Sequence, residues 1–291
     1  MTLTNLRSVV RTETLLYMRG RGVWITVVLM VVLGLYVGTW ARHSPWDSWG
    51  QFTTAALWMT LLLMFTTGDQ ITRDRDLRVQ GVLLSTPLST AAYVGGKYMA
   101  ALLMLCGLAG VSLLTALGTD TISLWRSPYE YAPGPLIFGD NYFSSLGPWP
   151  YLAGWLWLML MPLIFGAALV LAAITLMHGQ RLVAYGAVLG FWLVPILAGS
   201  AWPDWLDVTA YKLSVDYRLA SVTGVAQTLW RGFSTAEQRT AAETWAFHTA
   251  LQHLPPVLPS IFFVNRLIFG ALAATLILLT TALVARRRRA A

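Results

Sequence analysis

Apolar residues run along this chain in long unbroken blocks, and polar residues are confined to the gaps between them. Six blocks contain no Asp, Glu, Lys or Arg: Val23–Ala41, Gly50–Gly68, Tyr98–Thr119, Trp149–Met177, Leu182–Pro203 and Leu267–Ala285. Each matches the roughly 20 residues that a helix needs to cross a hydrocarbon layer about 30 Å thick. The fourth has length to spare for tilt or for a kink at Pro162, and Pro195 is expected to kink the fifth. Neighbouring helices can absorb the carbonyls that these prolines leave free. The pattern predicts an all-α membrane protein of six transmembrane helices in a single domain over 1–291. No internal repeat is evident, which argues against carriers assembled from inverted halves.

The gaps carry their own periodicities. In the first 22 residues, Leu3, Leu6, Val10, Leu15 (or Thr14) and Met18 recur at roughly helical spacing, with Arg7, Arg11 and Arg19 set among them. This predicts an amphipathic helix on the inner membrane surface; a solvated basic tail is the alternative. It is not a cleavable signal, because the apolar run that follows is too long and lacks a small-x-small site. Residues 120–148, rich in Pro, Gly and Tyr, read as an ordered loop without helix. Residues 204–262 read as a helical outer segment in two pieces. In the first, Val208, Val215, Val222 and Leu229 recur every seven residues, while Lys212, Asp216 and Arg218 keep it out of the hydrocarbon. The second opens with Ser234 and Glu237 at capping-box spacing and stops before Pro255-Pro256.

Charge orients the bundle. Only 11% of residues are charged, against about 25% in soluble domains, too few to coat one of this size. The net charge of +7 is spread over the ends of apolar runs and forms no basic stripe, so nucleic acid is not an expected partner. With the amino terminus inside, 13 of the 20 basic residues fall on inner segments and 9 of the 13 acids on outer ones. The Lys/Arg bias predicts both termini in the cytoplasm of a multi-pass plasma (inner) membrane protein. Trp40, Trp46, Trp49, Trp149, Trp202 and Trp205 then all fall at outer ends of spans, as an aromatic belt requires; a lipid-handling outer vestibule is the alternative.

Candidate chemistry is sparse. Cys106, the single cysteine, lies within a span and reads as packing; it can form neither an intrachain disulfide nor a thiolate metal cluster. Spans free of ionisable groups argue against an ion-coupled carrier. His43, His178, His248 and His253 are scattered over three loops, and no His-Glu-x-x-His occurs, so enzyme chemistry and metal ligation are not expected. Gly95–Tyr98 has the Gly-Lys of a nucleotide-binding loop, but Ala91 stands where that loop needs glycine and Tyr98 where it needs Ser or Thr. The chain is therefore expected to bind no cofactor of its own. Gly34/Gly38 and Gly186/Gly190 have the spacing that lets helix backbones approach closely. They are assigned to packing within the bundle, with a dimer seam as the alternative.

One polar interruption stands apart: "RDRDLRVQGVLLSTPLSTAAYVGGK", residues 73–97. Asp74, Arg75, Asp76 and Arg78 would cover several faces of a short helix, which suits polar contact in a groove of another protein. Pro87 breaks such a helix, Ser89 can cap the next, and Lys97 is expected near the inner headgroups. A solvated loop that merely holds its charges inside is the alternative. The stretch resembles the segment after the second span in ATP-binding-cassette exporter permeases of the type-2 family. The shared features are the acidic-basic cluster Arg73–Asp76, Leu83-Leu84, Ser85-Thr86-Pro87-Leu88-Ser89, and Gly96-Lys97 opening the third span. Where the family commonly has Gly-Thr-Leu-Glu, this chain reads "LRVQGV".

The resemblance implies a cytoplasmic coupling helix over 69–97, with Asp74, Arg75, Asp76, Arg78, Gln80, Leu83, Leu84 and Pro87 at the ATPase contact. It further implies two separate ATPase subunits that carry ATP and Mg, a second permease (identical or related) completing the path, membrane lipid around it, and outward transport. Two rivals remain open: a non-transporting anchor that uses the ATPase for mechanical work through 204–262, and an ion-coupled carrier.

Overall fold

A computed structural model describes residues 3–40, 88–126, 155–177, 180–198 and 260–290, together with Leu152. The helices are α1 (Leu3–Met18), α2 (Arg21–Trp40), α3 (Thr90–Arg126), α4 (Leu160–Leu176), α5 (Arg181–Ala198) and α6 (Ser260–Ala290), with a π-helical turn at Trp155–Met159 leading into α4. No strand occurs among the described residues. The predicted span 50–68 and the predicted segments 69–87, 127–148 and 204–259 lie outside them.

Two stretches, Thr90–Thr119 and Phe262–Arg289, are long and apolar enough to cross a membrane, which marks the chain as an integral membrane protein. Both exceed the predicted spans. The 37 residues of α3 extend over about 55 Å, well beyond a ~30 Å hydrocarbon layer. Its first two turns, Thr90–Lys97, fall in the polar connection of the sequence pattern, and residues 120–126 in its loop. A helix stops at a breaker and not at a membrane face, and the first breaker beyond Arg126 is Pro128. At the other end, Ser89 Oγ accepts from the Ala92 N–H at 3.2 Å, an N-cap that satisfies one of the orphan donors. Likewise α6 starts at Ser260, directly after Pro259, and not at Leu267.

Between α1 and α2 the chain bends by 75°. Gly20 sits in the break, where its N–H reaches Tyr17 O at 2.8 Å and its carbonyl accepts from Val23 N–H at 3.2 Å. The N–H missing at Pro162 would have bonded the carbonyl four residues back, and the π-helical turn falls there, so the expected kink takes the form of a widened turn.

Packing orders the helices. Val23 meets Met104 in one cluster, and Gly34 meets Ser112 and Thr115 further along, so α2 and α3 run parallel. The chain between them must therefore return from one end of the pair to the other. A Cβ on Gly34 would lie 2.5 Å from the Ser112 carbonyl oxygen and 2.7 Å from Thr115 Cβ, so only glycine permits this approach. Val170 and Ile174 of α4 pack on Ala184 and Val188 of α5 as an antiparallel hairpin. Phe165 and Phe269 meet edge to face at 5.0 Å, joining α4 to α6 in the main core with Leu105, Leu108 and Leu113 of α3. Hydroxyls inside the bundle donate back to their own helix, as Thr115 does to Val111 O at 2.8 Å and Thr175 to Leu171 O at 2.8 Å. These hydroxyls are thereby satisfied within their own helix and present no bare donor to an apolar surround.

Candidate functional site

The base of α3 gathers three distant parts of the chain. α1 lies across it with Leu6, Val9, Glu13 and Tyr17 facing inward. A Cβ on Gly96 would come within 2.5 Å of Val9 Cγ1, and one on Gly95 would meet Leu6 Cδ1 at 3.8 Å, so paired glycines open a seat for α1. Beside this seat, Lys97 Nζ donates to Glu13 Oε1 at 2.6 Å, with the two side chains 1% and 9% exposed. The Lys97 ammonium also stands 5.2 Å from the centroid of the Tyr93 ring, one turn earlier on α3. From the far end of the sequence, Arg288 Nη1 donates to the Leu88 carbonyl at 2.6 Å, fixing the end of α6 against the start of α3. Next to Lys97, the Tyr98 hydroxyl donates to Ile164 O of α4 at 3.1 Å.

The polar connection therefore enters α3 at a point clamped by α1, α4 and α6. A buried charge is tolerated only when paired, and once paired it resists separation, because either partner alone would be stranded out of water. Chemically the arrangement is suited to hold and transmit position. At this point Lys97 is paired with Glu13 and stands over the Tyr93 ring. Among the described residues, no three of His, Cys, Asp and Glu come together as a metal site would require.

Several sequence expectations are changed here. Lys97 does not reach toward headgroups but is buried on Glu13. The proposed apolar stripe of α1 divides: Leu6 and Val10 turn toward the bundle, whereas Leu15 and Met18 are about half exposed on the opposite side. Arg7 and Arg11 are exposed on that outward face, and Arg19 is exposed just beyond the end of α1. Asp74, Arg75, Asp76, Arg78, Gln80, Leu83, Leu84 and Pro87 lie outside the described residues. Gly34 is buried against α3, and Gly38 is a further turn along α2. Gly186 and Gly190 face outward from α5, with no described atom within 4 Å of where a Cβ would stand, so they do not serve as an internal seam among the described residues.

Glu13 was missed by pattern reading, although it is the only acid before Asp47 and Lys97 is one of two lysines in the chain. Its spacing from Leu6, Val9 and Tyr17 places it on one helical face with them, and that was the available signal. The longer α6 likewise buries Asn265 and Arg266, the guanidinium lying 4.6 Å from the Phe262 ring centroid. Lys97 and Arg266 each stand one residue before the charge-free blocks Tyr98–Thr119 and Leu267–Ala285, within the longer apolar helices that contain those blocks. No protein-family model matches the chain, and no curated protein matches it.

Proposed function

We propose that this chain is the permease subunit of an ATP-driven exporter of the ATP-binding-cassette type, paired with a second permease and moved by separate cytosolic ATPases. The observation that carries this reading is the clamped base of α3. The segment resembling a coupling element, 69–97, is held at Leu88, where Arg288 grips its carbonyl, and at its end, where Lys97 is locked to Glu13. A push delivered through 69–87 would reach a junction of four helices at once. The parallel course of α2 and α3 supports a return crossing between them. The adjoining ends of α1, α3 and α6 support placing both termini with the coupling segment in the cytoplasm. Substrate would move outward between two permeases, along apolar and aromatic faces that suit an amphipathic or lipidic cargo.

The test is purification from native membranes with Mg-ATP hydrolysis as readout. Associated ATPase activity that Arg75→Glu/Arg78→Glu removes, with membrane insertion intact, supports the assignment. ATPase association indifferent to those reversals refutes the docking role of the segment.

The buried Glu13–Lys97 pair and buried Arg266 favour one rival, an ion-coupled carrier, since such carriers place ionisable groups within the bundle. That reading requires transport driven by a gradient without nucleotide.

A further inference from the structure

The geometry points to the outward face of α1 as a binding cleft for the headgroup of an anionic phospholipid in the leaflet along which α1 lies. An open cleft of about 580 Å³ is lined, among the described residues, by Arg7, Ser8, Arg11, Thr12 and Leu15. Arg7 and Arg11 are one turn apart on the same row, about 6 Å between Cβ atoms, so both guanidinium groups can reach one phosphodiester. The Thr12 hydroxyl stands on the adjoining row. Ser8 already donates to Asn5 O at 2.8 Å and keeps its oxygen as an acceptor.

Three features make this face an anion site and not merely a basic surface. The single acid of α1, Glu13, is turned inward and neutralised by Lys97, so no carboxylate of this helix offsets the two guanidinium groups. The glycine seat on α3 fixes the roll of α1, so this face cannot rotate into the bundle. Finally, the 75° bend turns α1 across the direction of α2, and exposed Leu15, Leu16 and Met18 adjoin the cleft. A glycerophospholipid has the matching order of parts: a charged phosphate for the arginines, with acyl chains beside it for Leu15, Leu16 and Met18. Basic residues on such a helix attract an anionic leaflet, each contributing about a fivefold preference. The inference rests on the reading of α1 as a membrane-surface helix.

The experiment uses the full-length chain in phosphatidylcholine nanodiscs containing a minor fraction of phosphatidylglycerol, with bound lipid counted by native mass spectrometry. Retention of phosphatidylglycerol over phosphatidylcholine is expected, falling by roughly tenfold or more in Arg7→Gln/Arg11→Gln and largely recovering in Arg7→Lys/Arg11→Lys. Equal retention by the glutamine variant overturns the inference, and so does full displacement by soluble glycerol phosphate, which would mark a site for free phosphate. A spin label at Thr12→Cys in a Cys106→Ala background, relaxed by a nickel-chelating lipid, tests the underlying orientation separately. Relaxation without headgroup preference overturns the cleft alone; no relaxation removes the surface helix and the cleft with it.

Discussion

Removing one partner of the Glu13–Lys97 pair should destabilise the protein far more than removing both. At 2.6 Å the gross attraction is about 6 kcal/mol for an effective dielectric near 20. Desolvation of two ions consumes several kcal/mol each, so the intact pair is expected to be close to neutral relative to an uncharged pair of the same shape. A single truncation leaves the other charge buried and should cost about 3–5 kcal/mol. Glu13→Gln and Lys97→Met are suitable because they preserve volume. Each alone should lower the apparent melting temperature in nanodiscs by roughly 10 °C, taking a few degrees per kcal/mol for a chain of this size. The double variant should recover most of the loss, giving a coupling energy of about 4 kcal/mol or more. Additive losses, with coupling below about 0.5 kcal/mol, would show that the two side chains do not act as a buried unit and would remove the clamp at the base of α3.

Gly34→Ala should cost about 1–3 kcal/mol by forcing α2 away from the Ser112 carbonyl, whereas Gly186→Ala, with no described atom within 4 Å of the added Cβ, should leave the melt unchanged. Equal effects would contradict the packing described for α2 and α3. Ser89→Ala should cost about 1 kcal/mol and speed amide exchange over the first turn of α3, read by hydrogen-exchange mass spectrometry; unchanged exchange there would deny the cap. With both termini inside, cysteines placed at Ser127 and Ser234 in a Cys106→Ala background should react with a membrane-impermeant maleimide added from outside. Protection of either reverses the assigned orientation.

The apolar blocks made the helical class and membrane character readable from sequence, because length and absence of charge are direct requirements of the bilayer. Ends of helices were less readable. The charges before Tyr98 and Leu267 mark apparent starts in the sequence, yet α3 and α6 run through Lys97 and Arg266. A charge stops a run of hydropathy but not a run of backbone hydrogen bonds, whereas Ser89, Pro128 and Pro259 do mark the termini. The cap at Ser89 was legible for that reason. The Glu13–Lys97 pair was not, since 84 residues separate its members and only the packing of α1 on α3 brings them together. In Gly34 the close approach was legible from spacing alone. At Gly186 and Gly190 the same spacing meets no described neighbour, because a small-residue motif states that a backbone can be approached and not by what.

Vesicle transport with the energy source varied tests the functional proposal most directly. The purified chain and its ATPase, reconstituted together, should move an amphipathic substrate only with Mg-ATP, and the chain alone should be inactive under any ion gradient. Nucleotide-independent transport by the chain alone, driven by a proton or sodium gradient, would contradict the assignment.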